Sequence, residues 1–88
     1  MSVREYIVIG RVQGVFYRAT TKRYANQLGV TGFAQNQADG TVLVVAQADD
    51  AVLEAFIDKL RQGSPLSRVD EVRIRQLEQG NFSQFEVR

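Results

Sequence analysis

Val3-Arg4-Glu5-Tyr6-Ile7-Val8-Ile9-Gly10 is the first patterned run of the chain, and the change of period just beyond it decides the fold. β-branched residues crowd the run, both faces turn apolar after Glu5, and a glycine ends it. It is predicted as a strand in the middle of a sheet. From Arg18 the period changes, and Thr21, Tyr24, Ala25 and Leu28 recur at i, i+3, i+4 and i+7. They make one helical face, with Gly29 just past its end as a helix stop. A strand leading through a short loop into a helix is the first half of a βαβ unit.

The rest of the chain repeats the pattern. Residues 31–36 and 41–47 read as strands joined by a hairpin turn at Gln37-Ala38-Asp39-Gly40, where Asp-Gly supplies the turn chemistry. A second helix covers about residues 50–62, with Asp49 or Asp50 as cap and Val52, Leu53, Phe56, Ile57 and Leu60 as its buried stripe. Lys59 and Arg61 complement the dipole in the last turn, and Gly63 and Pro65 stop the helix. Val72 and Ile74 alternate with Arg73 and Arg75 in another strand, with both arginines read as solvated and unpartnered. Phe85 and Val87 mark a short last strand. The expected fold is an α+β ferredoxin-like sandwich, a βαββαβ order plus a short C-terminal strand. Its sheet is mainly antiparallel, with two helices on one face, in a single domain over residues 1–88. A right-handed crossover makes the first two strands parallel with the third running back between them. The loop after Gly10 and the strand end at Asn36 are then expected at one edge of the sheet.

Composition narrows the chemistry. The chain has 88 residues, a net charge of +1, and no cysteine or histidine. That excludes disulfides, Ser-His-Asp and Cys-His machinery, and zinc sites built from Cys or His. The near-neutral balance offers no broad basic field for nucleic acid. No run approaches the ~20 apolar residues of a membrane span, and the start lacks the apolar stretch of a signal peptide. Asp39, Asp49, Asp50 and Asp70 are scattered, so no metal is expected. Chemistry here falls to Arg, Asn and backbone amides.

Those types converge in Gly10-Arg11-Val12-Gln13-Gly14-Val15-Phe16-Tyr17-Arg18. Two glycines frame a tight loop entering a helix, so its N–H groups can form a nest that favours an anion, above all a phosphate. Arg18 opposes the dipole in the first helical turn unless an anion sits beside it, and its guanidinium fork suits phosphate. The plainer reading is a strand–helix turn with a solvated arginine. A nucleotide P-loop is excluded, because no lysine or hydroxyl residue follows Gly14. Asn36 in turn is either a functional amide or a strand-end residue bonding its own turn. Tyr17 and Tyr24 are assigned to the core.

The run from Gly10 to Arg18 resembles the signature of the acylphosphatase family. Leu28-Gly29-Val30-Thr31-Gly32-Phe33-Ala34-Gln35-Asn36, followed by Asp39-Gly40-Thr41-Val42, resembles the family's second signature. The tail is similar too, at Gly63-Ser64-Pro65, Val69 and Phe85-Glu86-Val87-Arg88. Departures are Phe16, where small residues are common, Leu43 for a usual glutamate and Ala48 for a usual glycine. The resemblance implies metal-free and cofactor-free hydrolysis of acyl phosphates, small aromatic or carbamoyl-type ones among them, to carboxylate and inorganic phosphate. It implies Arg18 and Asn36 as catalytic residues and the main-chain N–H groups of Gly14, Val15, Phe16, Tyr17 and Arg18 as the phosphate-binding loop. Phosphate or sulfate is expected as product or inhibitor, and the protein as a cytoplasmic monomer with no nucleic-acid or membrane partner. The alternative is a catalytically inactive ferredoxin-like binding module for RNA or a small effector. An RNA-binding sheet needs exposed aromatics on its central strands, yet the first carries only Tyr6 and the third none.

Overall fold

The computed structural model describes all 88 residues. The elements are β1 (Ser2–Arg11), α1 (Tyr17–Leu28), β2 (Thr31–Asn36), β3 (Val42–Ala48), α2 (Asp50–Gln62), β4 (Arg68–Leu77) and β5 (Phe85–Val87). They build one five-stranded sheet in the order β4-β1-β3-β2-β5. β3 runs antiparallel to β1 and to β2, β4 is antiparallel to β1, and only β5 pairs parallel, with β2. This is the ferredoxin-like α+β fold expected from the sequence, with β1 inside the sheet as its two apolar faces required.

Alternation along the strands sends Tyr6 and Val8 of β1, Ala34 of β2 and Val42, Val44 and Ala46 of β3 into the core beneath the helices. Leu53, Phe56, Ile57 and Leu60 of α2 meet them, all four buried as predicted, while Val52 of the predicted stripe is only half-buried against the core. Phe56 sits edge-on to Tyr6 and to Phe85, with centroids 6.1 and 6.2 Å apart. Thr21 and Ala25 of α1 are buried, while Tyr24 and Leu28 are half-buried against the same core. The Tyr17 hydroxyl donates to the Leu60 carbonyl at 2.8 Å, fastening the start of α1 to the end of α2. Burial of that phenol raises its pKa, so Tyr17 is a neutral core residue.

Three details differ from the sequence reading. Asp49 holds the cap position of α2, but its side chain caps no N–H. Asp50 is turned instead toward Arg4, at 3.4 Å, and accepts from the Ser2 hydroxyl. β4 starts at Arg68, four residues before Val72, where Arg68 and Val69 pair with Arg11 and Gly10 and Val69 packs half-buried against the core. Arg73 and Arg75 are exposed yet not alone, since Glu71 lies at 2.8 Å from the first and Glu5 at 3.0 Å from the second.

Candidate active site

β1 has a bulge between Ile9 and Gly10, near its end, and Gly10 has φ +142°. A Cβ there would lie 2.1 Å from the Arg68 carbonyl oxygen, so only glycine lets β1 bend against β4 and release the loop. The loop turns again at Gly14, φ +73°, and reaches α1 through Phe16, itself left-handed at φ 61°, ψ 23°. For a bulky residue this conformation costs roughly 1–2 kcal/mol.

Two side chains set the loop's shape. Gln13 donates to the main-chain oxygens of Gln37 and Thr41 at 2.8 and 2.9 Å, tying the loop to the β2–β3 hairpin. The buried Ser64 hydroxyl donates to the Val15 carbonyl at 2.7 Å from the far end of α2. In a trans peptide C=O and N–H point opposite ways. Fixing the Val15 carbonyl toward Ser64 therefore aims the Phe16 N–H away from Ser64. Neither role was read from the sequence. Gln13 lies inside the Gly10–Arg18 run, and Ser64 inside a segment read as a helix end and as part of the resembling tail, with no role for its side chain.

The loop opens a cavity of about 300 Å³ lined by Val12, Gly14, Phe16, Tyr17, Arg18, Ala19, Asn36 and Val87. Arg18 and Asn36, 18 positions apart in the chain, therefore share one concavity. β3 lies between β1 and β2 and makes them parallel, so the end of β2 stands beside the loop that leaves β1. Gly14, Phe16 and Tyr17 line it as well. Val15 does not, because its side chain is buried in the core. Val12, Ala19 and Val87 are additional apolar wall residues that the sequence reading did not assign.

The electrostatics favour an anion. α1 has no acidic residue in its first turn and no side-chain cap, whereas α2 begins with Asp49 and Asp50. Its first internal bond runs from the Thr20 N–H to the Phe16 carbonyl at 3.0 Å, leaving the N–H groups of Tyr17, Arg18 and Ala19 outside the helical ladder. Arg18 adds a full positive charge there and pairs with no acidic side chain. It donates one hydrogen bond to the main-chain oxygen of Arg88, which holds the guanidinium beside β5 while four of its five N–H groups remain for other acceptors. The Oδ1 of Asn36 is buried with no hydrogen-bond partner. The Asp39–Thr41 turn is satisfied without it: Thr41 donates its N–H to Asp39 at 3.0 Å and its hydroxyl at 2.7 Å. Asn36 is thus not occupied in bonding its own turn.

Comparison with known proteins places this arrangement in a family. The chain is 43% identical over 82 residues to the acylphosphatase of Methylococcus capsulatus, covering 92% of this chain and 89% of that one. It is 43% identical over 88 residues to the acylphosphatase of Actinobacillus succinogenes, covering 99% and 98%. Its fold superposes on the crystal structure of acylphosphatase from Bacillus subtilis with a TM-score of 0.95 at 28% identity, covering 99% of this chain and 98% of that one. The acylphosphatase family model matches residues 4–87, a span that takes in both walls of the cavity, and on that evidence the chain belongs to the acylphosphatase family.

Proposed function

We propose that this acylphosphatase hydrolyses the carboxyl–phosphate bond of small acyl phosphates in the cavity between the β1–α1 loop and Asn36. Arg18 and the loop N–H groups from Gly14 to Arg18 hold the phosphoryl oxygens, and Asn36 orients the attacking water. The observation that carries this reading is the meeting of Arg18, the uncapped start of α1 and Asn36 in one cavity.

Hydrolysis here needs little beyond position and charge. The water oxygen bonds to phosphorus as the bond from phosphorus to the acyl oxygen breaks. The bonding pair leaves with the carboxylate, whose conjugate acid has a pKa of about 4, so no general acid is required. The proton of the water passes to a phosphoryl oxygen, giving inorganic phosphate. Arg18 and the helix N-terminus neutralise charge on the transferring group. The side-chain amide group of Asn36, which has no partner on its oxygen, orients the water when substrate and water enter together. No three acidic side chains converge to hold a metal, and the reaction as drawn has no step that requires one.

We read the protein as a monomer, and the cysteine-free core suits a cytoplasmic setting. No helix is long and apolar enough to cross a membrane. No observation favours the RNA-binding alternative.

The test is loss of benzoyl phosphate absorbance with time in excess chelator. Turnover is expected, and phosphate monoesters should be poor substrates because their alkoxide leaving groups need an acid. Turnover abolished by the chelator rejects the metal-free mechanism. Phosphate should also raise the melting temperature, by the equivalent of about 2.7 kcal/mol at a hundredfold excess over its dissociation constant. An equal rise in Arg18→Gln would show bulk stabilisation rather than occupancy of this site.

A further inference from the structure

Phe16 is the one non-glycine residue with positive φ, and its side chain is 76% exposed. Both features work against the fold. A bulky side chain is strained in the left-handed region, and an exposed ring recovers little by burial. Phe16 lacks both packing rewards that could offset the strain. It belongs to none of the aromatic pairs, which are Tyr6–Phe56, Phe33–Phe82 and Phe56–Phe85. It is not part of the core cluster. Glycine at this position would remove the strain and the exposed ring together.

What the ring does have is its position. It stands on the wall of the cavity that holds Arg18 and Asn36, and five of the eight lining residues are apolar. Val87, 41% exposed, is another, although β5 holds it in place. The cavity therefore has two chemical poles: a polar one of Arg18, Asn36 and main-chain N–H groups, and an apolar one of Phe16 and Val87 with Val12 and Ala19. Inorganic phosphate fits the first alone. An acyl phosphate must place its acyl group somewhere, and a cavity near the small end of ligand pockets leaves little other wall for it.

We infer that Phe16 is a specificity residue, whose ring receives the acyl group and selects acyl phosphates with an aromatic acyl part. This rests on the reading of the cavity as the phosphoryl site. The main-chain N–H of Phe16 survives substitution, so the side chain's contribution is isolated as a ratio between substrates. The experiment measures kcat/KM for benzoyl phosphate and acetyl phosphate in the wild type, Phe16→Gly, Phe16→Asn and Phe16→Tyr. Asn tolerates the left-handed region without the flexibility of glycine. The benzoyl-to-acetyl ratio should fall roughly three- to tenfold in Phe16→Gly and Phe16→Asn, the scale of one aromatic contact, and persist in Phe16→Tyr. Phe16→Gly should also melt at a higher temperature than the wild type. A ratio unchanged in Phe16→Gly and Phe16→Asn, whatever their absolute rates, overturns the assignment while leaving the hydrolase reading intact. A wild type that turns over neither compound overturns both.

Discussion

The side-chain amide of Gln13 lies 2.8 Å from the main-chain oxygen of Gln37, bridging the loop that precedes α1 to the turn just after Asn36. The same nitrogen reaches Thr41 at 2.9 Å. One residue thus sets the spacing between the two walls of the cavity without lining it.

Removing that bridge should affect rate more than fold. Gln13→Ala loses two partly buried hydrogen bonds, each worth about 1 kcal/mol. It should lower kcat/KM about tenfold while the far-ultraviolet dichroism stays native. Gln13→Glu should be less stable than Gln13→Ala, because its carboxylate faces two carbonyl oxygens and has nothing to donate. Denaturant midpoints that rank the two variants the other way would refute the bridging role.

Arg18 and Asn36 should separate in kinetics. Arg18→Gln is expected to weaken inhibition by phosphate and to lower turnover, since a charge-assisted fork is gone. Asn36→Ala should lower kcat by roughly 10²-fold or more while the phosphate inhibition constant changes little. It should also keep or raise the melting temperature, because it deletes a buried acceptor that has no partner. Large loss of phosphate affinity with normal kcat in Asn36→Ala would contradict its role toward water.

Ser64 gives a test at a distance. Ser64→Ala leaves the Val15 carbonyl without its buried donor, a cost of about 1–3 kcal/mol in unfolding free energy. It should also free the Phe16 peptide to rotate and raise the phosphate inhibition constant several-fold. A stability loss with an unaltered inhibition constant would mean that other contacts orient that peptide.

Asp39 supplies a dependence on pH. Hydrogen bonds from the Thr41 hydroxyl, then from its N–H, hold the carboxyl below the ordinary value of 3.8. With the folded pKa lower than the unfolded one, the contribution is present above the ordinary value and is lost as pH falls through the folded one. In Thr41→Val the hydroxyl bond disappears and the main-chain bond remains, so the carboxyl should titrate at higher pH, as followed by its carbon resonance.

The apolar periods were legible in the sequence because burial wrote them there. Leu53, Phe56, Ile57 and Leu60 had one reading, and so did the parallel placing of β1 and β2 that brings Arg18 to Asn36. Hydrogen bonds between a side chain and a distant backbone group leave no such trace. Ser64 beside Gly63 and Pro65 looks like any helix-ending serine, and nothing in its neighbourhood names Val15. The same blindness covered the charges of β4. Glu5 and Arg75 are 70 positions apart, and only the β1–β4 register makes them partners. The strain at Phe16 was hidden for a different reason, since φ belongs to the loop and an exposed phenylalanine gives no sign of it.

β4 has a further importance outside catalysis. It is an edge strand of ten residues, long enough to template a strand from another molecule, whereas β5 at the opposite edge has three. Arg68, Asp70, Glu71, Arg73 and Arg75 cover it with charges of both signs, and the ion pairs of Arg73 with Glu71 and of Arg75 with Glu5 hold three of them in place. A newcomer strand would have to strip water from all of them to reach the unpaired backbone. The charges that leave β4 with only Val69 and Val72 against the core are thereby its defence against polymerisation, and a chain in which Arg73 and Arg75 were made apolar would keep its cavity while gaining a ribbon edge that nucleates fibrils.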